Sequence, residues 1–359
     1  MKYLLTTLEY PPQVGGVAVY YANLISAWQK EDEWKVIDNS KNELIGPGRF
    51  GWLRSVLTLI KTQQKNKYDL VLIGQILPLG TAALIASLFV RLPYAVVLHG
   101  MDLSFALRGK RKRFISKFIL GRAKHIICAN SYVQKILNDE FPTVSDKIIV
   151  LNPGVVVGAA TQTVNSDLIA RYNLTGKRVL LSIGRLVERK GFDRVIDALS
   201  SIKEDNWVYL IAGEGPEKEK LMSQVAASNI SANIKFIGQL NESEKWSCLD
   251  ICDIFIMTSR DIDGDFEGFG IVYLEANIAG KPVIAGRSGG VADAVIHNET
   301  GLLINPENTD EIAQAIEKLL QNPQEASRLG ENGRRRALQD FSWSGQAAKL
   351  KMKLTETNK

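Results

Sequence analysis

Cysteine and histidine are rare in this sequence. The 359 residues include 3 Cys and 3 His, namely Cys128, Cys248, Cys252, His99, His125 and His297. So few cysteines cannot build a disulfide framework in a chain of this length, and histidines this scattered do not form a zinc-binding pattern. A chain without disulfides suits a reducing compartment, so we expect a cytoplasmic protein.

Long apolar runs are also rare. The opening stretch, MKYLLTTL, is short and is followed by Glu9, which is untypical of a signal peptide. Residues 70–90 carry no charge and are long enough to cross a bilayer. However, Gly74, Pro78 and Gly80 interrupt this segment, which we therefore interpret as a buried strand followed by a packed helix.

The charge of the chain is unevenly distributed. The composition is ordinary for a globular protein, with 45% hydrophobic and 23% charged residues and a net charge of +5. Residues 1–160 hold 20 Lys and Arg against 11 Asp and Glu, a net +9, whereas residues 161–359 hold 24 against 28, a net −4. The length predicts two domains, and the asymmetry indicates that the first one meets an acidic partner.

Twelve short apolar runs alternate with helix-like stretches, six in each half of the chain. They are YLLTTL, KVID, DLVLIG, YAVVLHG, HIICAN and KIIVLNPG, then RVLLSIGRL, VYLIAGEG, NIKFIGQL, DIFIMTS, PVIAGRSGG and GLLINP. Most are continuously apolar, which predicts strands covered on both faces, as in parallel sheets between helices. The fold class is therefore α/β with two doubly wound domains, whose ligands bind beyond the carboxyl ends of the strands.

The domain boundary is expected where the chain loses both charge and periodicity. Residues 152–166, NPGVVVGAATQTVNS, are small or polar and carry no charge. We therefore predict an N-terminal domain over residues 1–165 and a C-terminal domain over residues 166–342.

Two glycines precede a predicted helix near the N-terminus. A strand over residues 3–7 leads through EYPPQVGG into a helical pattern, so Gly15 and Gly16 lie at the helix start. The N–H groups and the dipole of a helix start attract phosphate, and glycine lets it approach closely. The loop has neither the G-x-G-x-x-G nor the P-loop pattern, so a tight turn that needs glycine is the alternative.

Two cations occupy a loop of the second half. The run LLSIGRLVERKGFDRVIDAL predicts a strand, a loop with Arg185 and Lys190, and a helix. A guanidinium and an ammonium at the carboxyl end of a buried strand suit a diphosphate. The alternative is that both are solvated loop charges.

Two glutamates eight residues apart make residues 259–290 the most informative segment. Glu267 precedes the predicted helix IVYLEANIAG, and Glu275 lies about two turns into it. Glu267 has the alternative of pairing with the helix dipole alone. Glu275 is flanked by apolar residues and, if buried, needs a donor such as a sugar hydroxyl. Gly268 and Gly270 would let a ligand approach the backbone, and a second small-residue turn follows at 288–290.

His99 and an acidic loop each allow two interpretations. His99 ends the run YAVVLHG at the ligand edge, where it can donate to a sugar hydroxyl or a carbonyl, or cap the loop. Asp261, Asp263 and Asp265 form two overlapping D-x-D patterns. We interpret them as a mobile, solvated loop that could meet the acceptor or a sugar hydroxyl, rather than as a metal site.

Residues 108–124, RGKRKRFISKFILGRAK, contain eight Lys and Arg and no acid. With Phe114, Ile115, Phe118 and Ile119 as one apolar face, they predict an amphipathic surface helix that contacts anionic lipid on the inner face of the cell membrane. The alternative is a docked helix with solvated charges. A nucleic-acid partner is not expected, because the basic residues lack interleaved aromatics and any known binding motif.

The motifs together resemble retaining glycosyltransferase family 4. EGFGIVYLE resembles the E-x(7)-E motif of that family, and GRLVERKGFD resembles its G-R-L-x-x-x-K-G loop. VGG at 14–16, HGMD at 99–102, NPGV at 152–155, DIFIMTS at 253–259 and SGG at 288–290 follow in the family's order. Residues 267–290 are especially similar to phosphatidylinositol-mannoside mannosyltransferases that use GDP-mannose.

The resemblance implies a GT-B fold, in which two Rossmann-like domains face each other across a cleft, with the C-terminal helix at about 343–359 crossing back to the first domain. It implies that Arg185 and Lys190 hold the diphosphate, that Glu275 binds the ribose, and that Glu267 binds the donor sugar near the reacting carbon. Gly15 and Gly16 would touch the phosphates, and His99 would lie near the sugar. The expected donor site also includes Gly268, Phe269 and Gly270.

The resemblance further implies a hexosyltransferase that needs no metal or other cofactor and acts on a lipid-linked or glycan acceptor. GDP-mannose is the first expected donor, and a UDP-sugar is the alternative. Two other classes stay open: a different enzyme of the same fold, such as a phosphorylase or an epimerase, and a non-catalytic sugar-nucleotide-binding protein at a membrane surface. No pyridoxal-lysine site supports a phosphorylase. The presence of all four charged residues of the expected donor site argues against a non-catalytic protein; they are Arg185, Lys190, Glu267 and Glu275.

Overall fold

The computed structural model describes residues 1–13, 15–48, 50–156 and 166–356. The chain forms two compact units, Met1–Gly154 with Trp343–Lys359, and Val155–Ser342. The boundary predicted after residue 165 falls at the end of segment 157–165, which lies outside the described residues, as do Val14 of the VGG motif and residues 357–359. The division between the units precedes that segment, at Gly154.

The first unit contains six parallel strands. They are β1 (Lys2–Thr6), β2 (Glu33–Ile37), β3 (Leu70–Ile73), β4 (Tyr94–Leu98), β5 (His125–Cys128) and β6 (Ile148–Val150). Their order in the sheet is β2-β1-β3-β4-β5-β6. The strand order therefore reverses between β1 and β3, and a doubly wound sheet opens a ligand crevice at such a reversal.

Helices cover this sheet. They are α1 (Gly16–Ser26), α2 (Leu53–Asn66), α3 (Thr81–Ala86), α4 (Met101–Leu107), α5 (Lys110–Arg122), α6 (Ser131–Glu140) and α15 (Trp343–Glu356). Helix α15, the last in the chain, belongs to this unit because it packs on α1. The Trp343 ring lies edge-on to Tyr20, 5.3 Å between centroids, and Lys351 Nζ lies 2.8 Å from Asp32 Oδ2.

The charge-free segment over residues 70–90 is a buried strand followed by a helix, as predicted. The helix ends at Ala86, earlier than the pattern suggested, and Leu88 and Phe89 beyond it are each 70% exposed. Over the described ranges, the helices of this protein are all too short or too polar to cross a bilayer.

The second unit contains the other six strands, also parallel. They are β7 (Arg178–Ile183), β8 (Trp207–Ala212), β9 (Ile234–Gly238), β10 (Ile254–Met257), β11 (Val283–Gly286) and β12 (Leu302–Ile304). Alternate residues of β7, Val179 and Leu181 against Leu180, pack into different hydrophobic clusters. Both faces of the sheet are therefore covered, which is why the strand sequences read as continuous apolar runs.

In the described residues of this unit, eight α-helices accompany these strands. They are α7 (Ser166–Arg171), α8 (Phe192–Leu199), α9 (Lys218–Ala226), α10 (Glu242–Ile251), α11 (Ile271–Ile278), α12 (Val291–Ala294), α13 (Thr309–Gln321) and α14 (Pro323–Asp340). The strand order is β12-β11-β10-β7-β8-β9, which reverses between β7 and β10. This is the order of a dinucleotide-binding sheet, and the crevice is expected beyond the carboxyl ends of these two strands.

Candidate functional site

Glu267 is the centre of a charged cluster at the reversal point of the second sheet. Its carboxylate oxygen Oε2 accepts from Lys190 Nζ at 2.5 Å, from Arg189 Nη1 at 2.9 Å and from Ser259 Oγ at 3.2 Å. Arg189 and Lys190 lie in the loop after β7, whereas Ser259 and Glu267 follow β10. Because β7 and β10 are neighbours, the two loops meet at one sheet edge.

The charge on Glu267 is stabilised by its partners. Burial by itself would raise the pKa of this carboxyl, whose side chain is 9% exposed. The charges of Lys190 and Arg189, with hydrogen bonds from Lys190 and Ser259, lower the pKa overall. Glu267 is therefore ionised at neutral pH. Among the described residues no group hydrogen-bonds to its second oxygen, Oε1, which can accept from a ligand hydroxyl.

Two glycines let the backbone approach closely enough to assemble this cluster. Gly191 has a φ of +72°, and a Cβ there would lie 2.2 Å from the carbonyl oxygen of Thr258. Gly289 has a φ of +51°, and a Cβ there would lie 2.2 Å from the carbonyl oxygen of Glu267. The Gly290 N–H donates to that same carbonyl at 3.0 Å. The second small-residue turn thus holds the backbone of Glu267 in place.

Arg185 lies in the loop of Lys190 but outside the cluster. Its side chain is exposed, and over the described part of the chain its guanidinium makes no hydrogen bond or ion pair. Lys190, in contrast, packs its aliphatic stem near Gly184, where a Cβ would lie 3.7 Å from Lys190 Cε. The loop therefore holds two cations that are already paired, Arg189 and Lys190, and one, Arg185, that is available to an incoming anion.

Glu275 has a protein partner of its own. It is the fifth residue of α11, just over one turn in rather than two, and its Oε1 accepts from Lys245 Nζ of α10 at 2.7 Å. The side chains are 16% and 15% exposed. The donor that a buried Glu275 requires is thus supplied by the fold. Burial would lower the pKa of Lys245, but Glu275 and Glu242 raise it overall.

Between Glu267 and Glu275, Gly270 gives the backbone freedom to turn, whereas Phe269 packs in the core. Gly270 has a φ of +74° and precedes α11 directly, so the backbone there can turn toward a ligand. The Phe269 side chain, in contrast, is 5% exposed and packs in the hydrophobic core, 5.8 Å from the Phe341 ring. The side chain of Phe269 therefore belongs to the core, and the expected place of this residue in the donor site stays a prediction for its backbone. Gly268 is half-buried.

The acidic loop before Glu267 is an ordered turn. The backbones of Ile262 and Asp265 exchange two hydrogen bonds, at 3.1 and 2.9 Å. Asp263 and Gly264 between them have φ values of 51° and 82°, the left-handed pair of a tight hairpin turn. Asp261 Oδ1 accepts from Gly264 N, and Asp265 Oδ1 lies 3.1 Å from Arg189 Nε. These bonds define the shape of the turn, while contact of this loop with the acceptor or with a sugar hydroxyl stays a prediction.

His99 in the first unit is engaged by two tyrosines of α1. Its ring lies edge-on to Tyr20 and Tyr21, and Nε2 is 2.9 Å from the Tyr21 hydroxyl. That hydroxyl donates its single proton to Gly74 O at 3.0 Å, so Nε2 carries the proton of the His99–Tyr21 bond. Burial lowers the pKa of His99 to about 4, so the ring is neutral at pH 7. In this tautomer Nδ1 can accept from a ligand hydroxyl, and the expected position of His99 near the donor sugar stays a prediction.

The predicted glycine loop begins helix α1. Gly15 precedes the helix, and Gly16 opens it at an exposed position where a Cβ would meet nothing within 4 Å. Burial raises the pKa of Glu9, whose Oε2 lies 3.6 Å from the position that a Gly15 Cβ would take. A phosphate at this helix start would have to share it with an acidic side chain.

Sequence reasoning missed Arg189, Ser259 and Lys245, as well as Tyr20 and Tyr21 at His99, all of which contact predicted residues. The first two left a signal in the sequence. Arg189 adjoins Lys190 in the same loop, and Ser259 ends the strand run of β10, so both could have been included. Lys245 left none, because nothing in the sequence of α10 distinguishes it from a solvated lysine.

Two family models match the chain. The model for "Glycosyl transferases group 1" matches residues 166–336, and the model for "Glycosyltransferase Family 4" matches residues 14–158. The first match includes the Glu267 cluster and Glu275, and the second includes Gly15, Gly16 and His99.

Similar proteins are found over the full length. A protein of Methanocaldococcus jannaschii named an uncharacterized glycosyltransferase is 27% identical, over 96% of this chain and 95% of its own. The GDP-mannose-dependent alpha-(1-6)-phosphatidylinositol monomannoside mannosyltransferase of Mycolicibacterium smegmatis is 25% identical, over 97% and 96%.

Solved structures share the fold. The crystal structure of Anabaena HepE in complex with UDP superposes with a TM-score of 0.80 at 21% identity, over 99% of this chain and 100% of that one. Sucrose-phosphate synthase from Thermosynechococcus elongatus gives a TM-score of 0.79. With its two parallel six-stranded sheets and both family matches, the chain belongs to the family 4 glycosyltransferases of the GT-B fold, with similarity to the phosphatidylinositol-mannoside mannosyltransferases.

Proposed function

We propose that this glycosyltransferase moves a hexose, with GDP-mannose as the first candidate donor, to a hydroxyl of a lipid-linked or glycan acceptor, with retention of configuration and without a metal. The observation that carries the proposal is the meeting of Lys190 and Glu267 at the reversal point of the second sheet, 2.5 Å apart. A cation and an ionised carboxylate there provide one partner for a diphosphate and one for a sugar.

The reaction needs a stabilised leaving group. When the bond between the sugar and the diphosphate breaks, negative charge grows on the departing phosphate, and fixed cations lower the energy of that state. Arg185 and Lys190 supply these cations. Glu267, with Oε1 free of protein partners in the described structure, accepts hydroxyls of the donor sugar. Retention is proposed from the resemblance, with attack on the face that the phosphate leaves.

The donor is the first point to test. GDP-mannose, UDP-glucose, UDP-N-acetylglucosamine, dTDP-glucose and ADP-glucose are screened for thermal stabilisation, and each donor that stabilises is then assayed for hydrolysis and transfer. Because several relatives are named GDP-mannose-dependent, we expect GDP-mannose to raise Tm most, by a few degrees at saturating concentration. A UDP-sugar that stabilises and transfers better would replace GDP-mannose with the alternative donor.

We propose that no metal is needed, because Arg185 and Lys190 already supply positive charge for the diphosphate. Two carboxylates of the acidic loop, which could otherwise bind a metal, have protein partners. Asp265 pairs with Arg189, and Asp261 accepts from Gly264 N. Transfer that continues in EDTA is the expected result. Loss of transfer in EDTA with recovery on adding Mg²⁺ or Mn²⁺ would contradict this part of the proposal.

The acceptor is proposed to be reached from an anionic lipid surface, through α5. Phe114 and Phe118 are 64% and 52% exposed, and their rings lie 4.9 Å apart on the outer face of the helix. Ile119 is fully buried, so the predicted apolar face divides: the isoleucine packs inward and the phenylalanines point outward among the lysines and arginines. Paired aromatics surrounded by cations are suited to an interface of acyl chains and anionic headgroups.

Neighbouring segments extend this surface. Lys112 Nζ lies 3.3 Å from the centre of the Phe105 ring of α4. Arg122 of α5 donates to Ser87 Oγ at 2.9 Å, which brings the exposed Leu88 and Phe89 beside the same helix. One of the cations, Arg113, is paired with Glu140 at 2.7 Å. Phe105, Leu88 and Phe89 therefore add apolar contact area to a surface that remains basic.

We expect the protein to sediment with vesicles that contain phosphatidylglycerol and much less with pure phosphatidylcholine. Each cation near the surface contributes about 1 kcal/mol, so changing Lys110 and Lys117 to Glu should weaken binding more than tenfold. Phe114→Ser with Phe118→Ser should weaken it at high salt, where the electrostatic part is screened.

Lys30→Glu, an exposed charge change outside α5 in the same unit, serves as the control and should bind nearly as the unchanged protein does. Binding that is absent, or that does not respond to salt, would exclude the lipid surface.

A further inference from the structure

Arg189 contacts the central carboxylate of the site although it lies outside the matched motif positions of the loop. Its Nη1 lies 2.9 Å from Glu267 Oε2, the same oxygen that accepts from Lys190 Nζ, and its Nε lies 3.1 Å from Asp265 Oδ1. Glu267 therefore has two cationic partners, of which the proposed function uses only Lys190.

This arrangement addresses a conflict in the role of Lys190. An incoming diphosphate would compete with Glu267 for the ammonium, so the short contact of Lys190 with Glu267 would weaken as Lys190 turns to the diphosphate. If Lys190 were the only cation, its departure would leave a carboxylate that is 9% exposed with Ser259 as its remaining donor. A buried carboxylate without a counter-ion is costly and would take up a proton. A protonated Glu267 would be a weaker acceptor for sugar hydroxyls.

We infer that Arg189 is the resident counter-ion of Glu267, which keeps this carboxylate charged and oriented while Lys190 is released to the diphosphate of the donor. The inference rests on the proposed function, since it assigns Lys190 to a diphosphate. Arg189 is thus a positioning residue, which acts through Glu267 and Lys190.

The surroundings of Arg189 suit a residue that stays in place. Its carbonyl oxygen accepts from Arg260 N at 2.8 Å, and Arg260 is itself 4% exposed and paired with Asp193 at 3.0 Å. The guanidinium presents several donors in one plane, so it holds Asp265 with Nε and Glu267 with Nη1 at once. A lysine, with a single nitrogen, could not easily hold both carboxylates in this way.

The first experiment measures binding of the nucleoside diphosphate of the preferred donor by calorimetry in a four-protein cycle: unchanged, Arg189→Met, Glu267→Gln, and both. In Arg189→Met, Glu267 keeps Lys190 as its only cation, so we expect affinity to fall about tenfold or more. In the double variant the neutral amide no longer holds Lys190, so affinity should return to within about threefold of the Glu267→Gln value. If the double variant binds as weakly as Arg189→Met, Arg189 contacts the ligand directly or has only a structural role, and the inference is wrong.

The second experiment uses the pH dependence of turnover. Removing a cation next to Glu267 raises its pKa, so in Arg189→Met the acidic limb of the kcat profile should move up by about one pH unit. Arg189→Lys retains the charge and should recover most of this shift. Arg178→Met, which removes an ion pair with Asp253 at the opposite end of β7, should leave the profile unchanged. An unshifted profile in Arg189→Met would overturn the inference.

A third measurement does not require any donor. Because the pKa of Glu267 is lowered in the folded protein, its contribution to stability is present above its unfolded pKa and is lost as the pH falls through the folded pKa. The Tm difference between the unchanged protein and Arg189→Met should therefore be largest at neutral pH, shrink on acidification, and be nearly absent in a Glu267→Gln background. If no nucleotide sugar binds, the proposed function fails, while this cycle still decides whether Arg189 neutralises Glu267. A Tm difference that depends neither on pH nor on the presence of Glu267 would refute the role of Arg189 as the counter-ion of Glu267.

Discussion

Glu267→Gln should lower transfer by about 100- to 1,000-fold while leaving affinity for the nucleoside diphosphate unchanged or higher. The amide keeps the size of the side chain but removes the charge that accepts sugar hydroxyls as the donor reacts. Loss of one preorganised electrostatic partner typically costs this much in kcat. At the same time Arg189 and Lys190 lose the carboxylate that neutralises them in the free protein, so an incoming diphosphate meets two less compensated cations. Kinetics with the preferred donor and calorimetry with its nucleoside diphosphate measure the two effects separately.

Glu325→Gln provides a matched control for this variant. Glu325 forms an ion pair with Arg328 at 2.7 Å at the start of α14, far along the chain from both site loops. The same substitution there should leave transfer nearly normal. Circular dichroism and thermal unfolding establish that Glu267→Gln remains folded. Turnover within about threefold of the unchanged protein would remove Glu267 from the reacting site.

Lys190→Met should weaken binding of nucleoside diphosphates about 10- to 100-fold and reduce transfer further. A hydrogen bond between charged groups contributes about 1.5–3 kcal/mol, which corresponds to this range of affinity. The loss should be specific for the diphosphate, so affinity for the nucleoside monophosphate should change much less. Thermal stability should also fall modestly, because Glu267 loses one of two counter-ions but keeps Arg189.

Arg185→Met is the informative comparison. Arg185 is exposed and has no partner among the described residues, so its removal should leave Tm unchanged. If Arg185 holds the diphosphate as proposed, affinity should nevertheless fall to a similar extent. If Lys190→Met binds the nucleoside diphosphate and the nucleoside monophosphate with the same affinities as the unchanged protein does, the assignment of Lys190 to the diphosphate is wrong.

The strands and the loops of the site could be predicted because their signals are local. Each of the twelve runs became a strand, and the continuous apolar character of a run such as RVLLSI follows from burial of both faces. Loops at the ends of parallel strands converge on one sheet edge, so the loops of Lys190 and Glu267 could be expected to meet. The α5 helix was also predictable, but its exposed face was not, because five apolar residues in a basic segment fit more than one orientation on the unit.

The sequence by itself determined the two α/β sheets, the loops that carry charge and the helix starts with glycine, since hydrophobic periodicity and backbone freedom depend on residues close together in the chain. Only the tertiary structure decided that Arg189 joins Lys190 on Glu267, that Lys245 pairs with Glu275 and that Tyr21 engages His99. The His99–Tyr21 and Lys190–Glu267 pairs join residues 78 and 77 positions apart, and the Lys245–Glu275 pair spans 30. Such contacts depend on which strands and helices become neighbours and on the precise course of each loop, which no local pattern encodes.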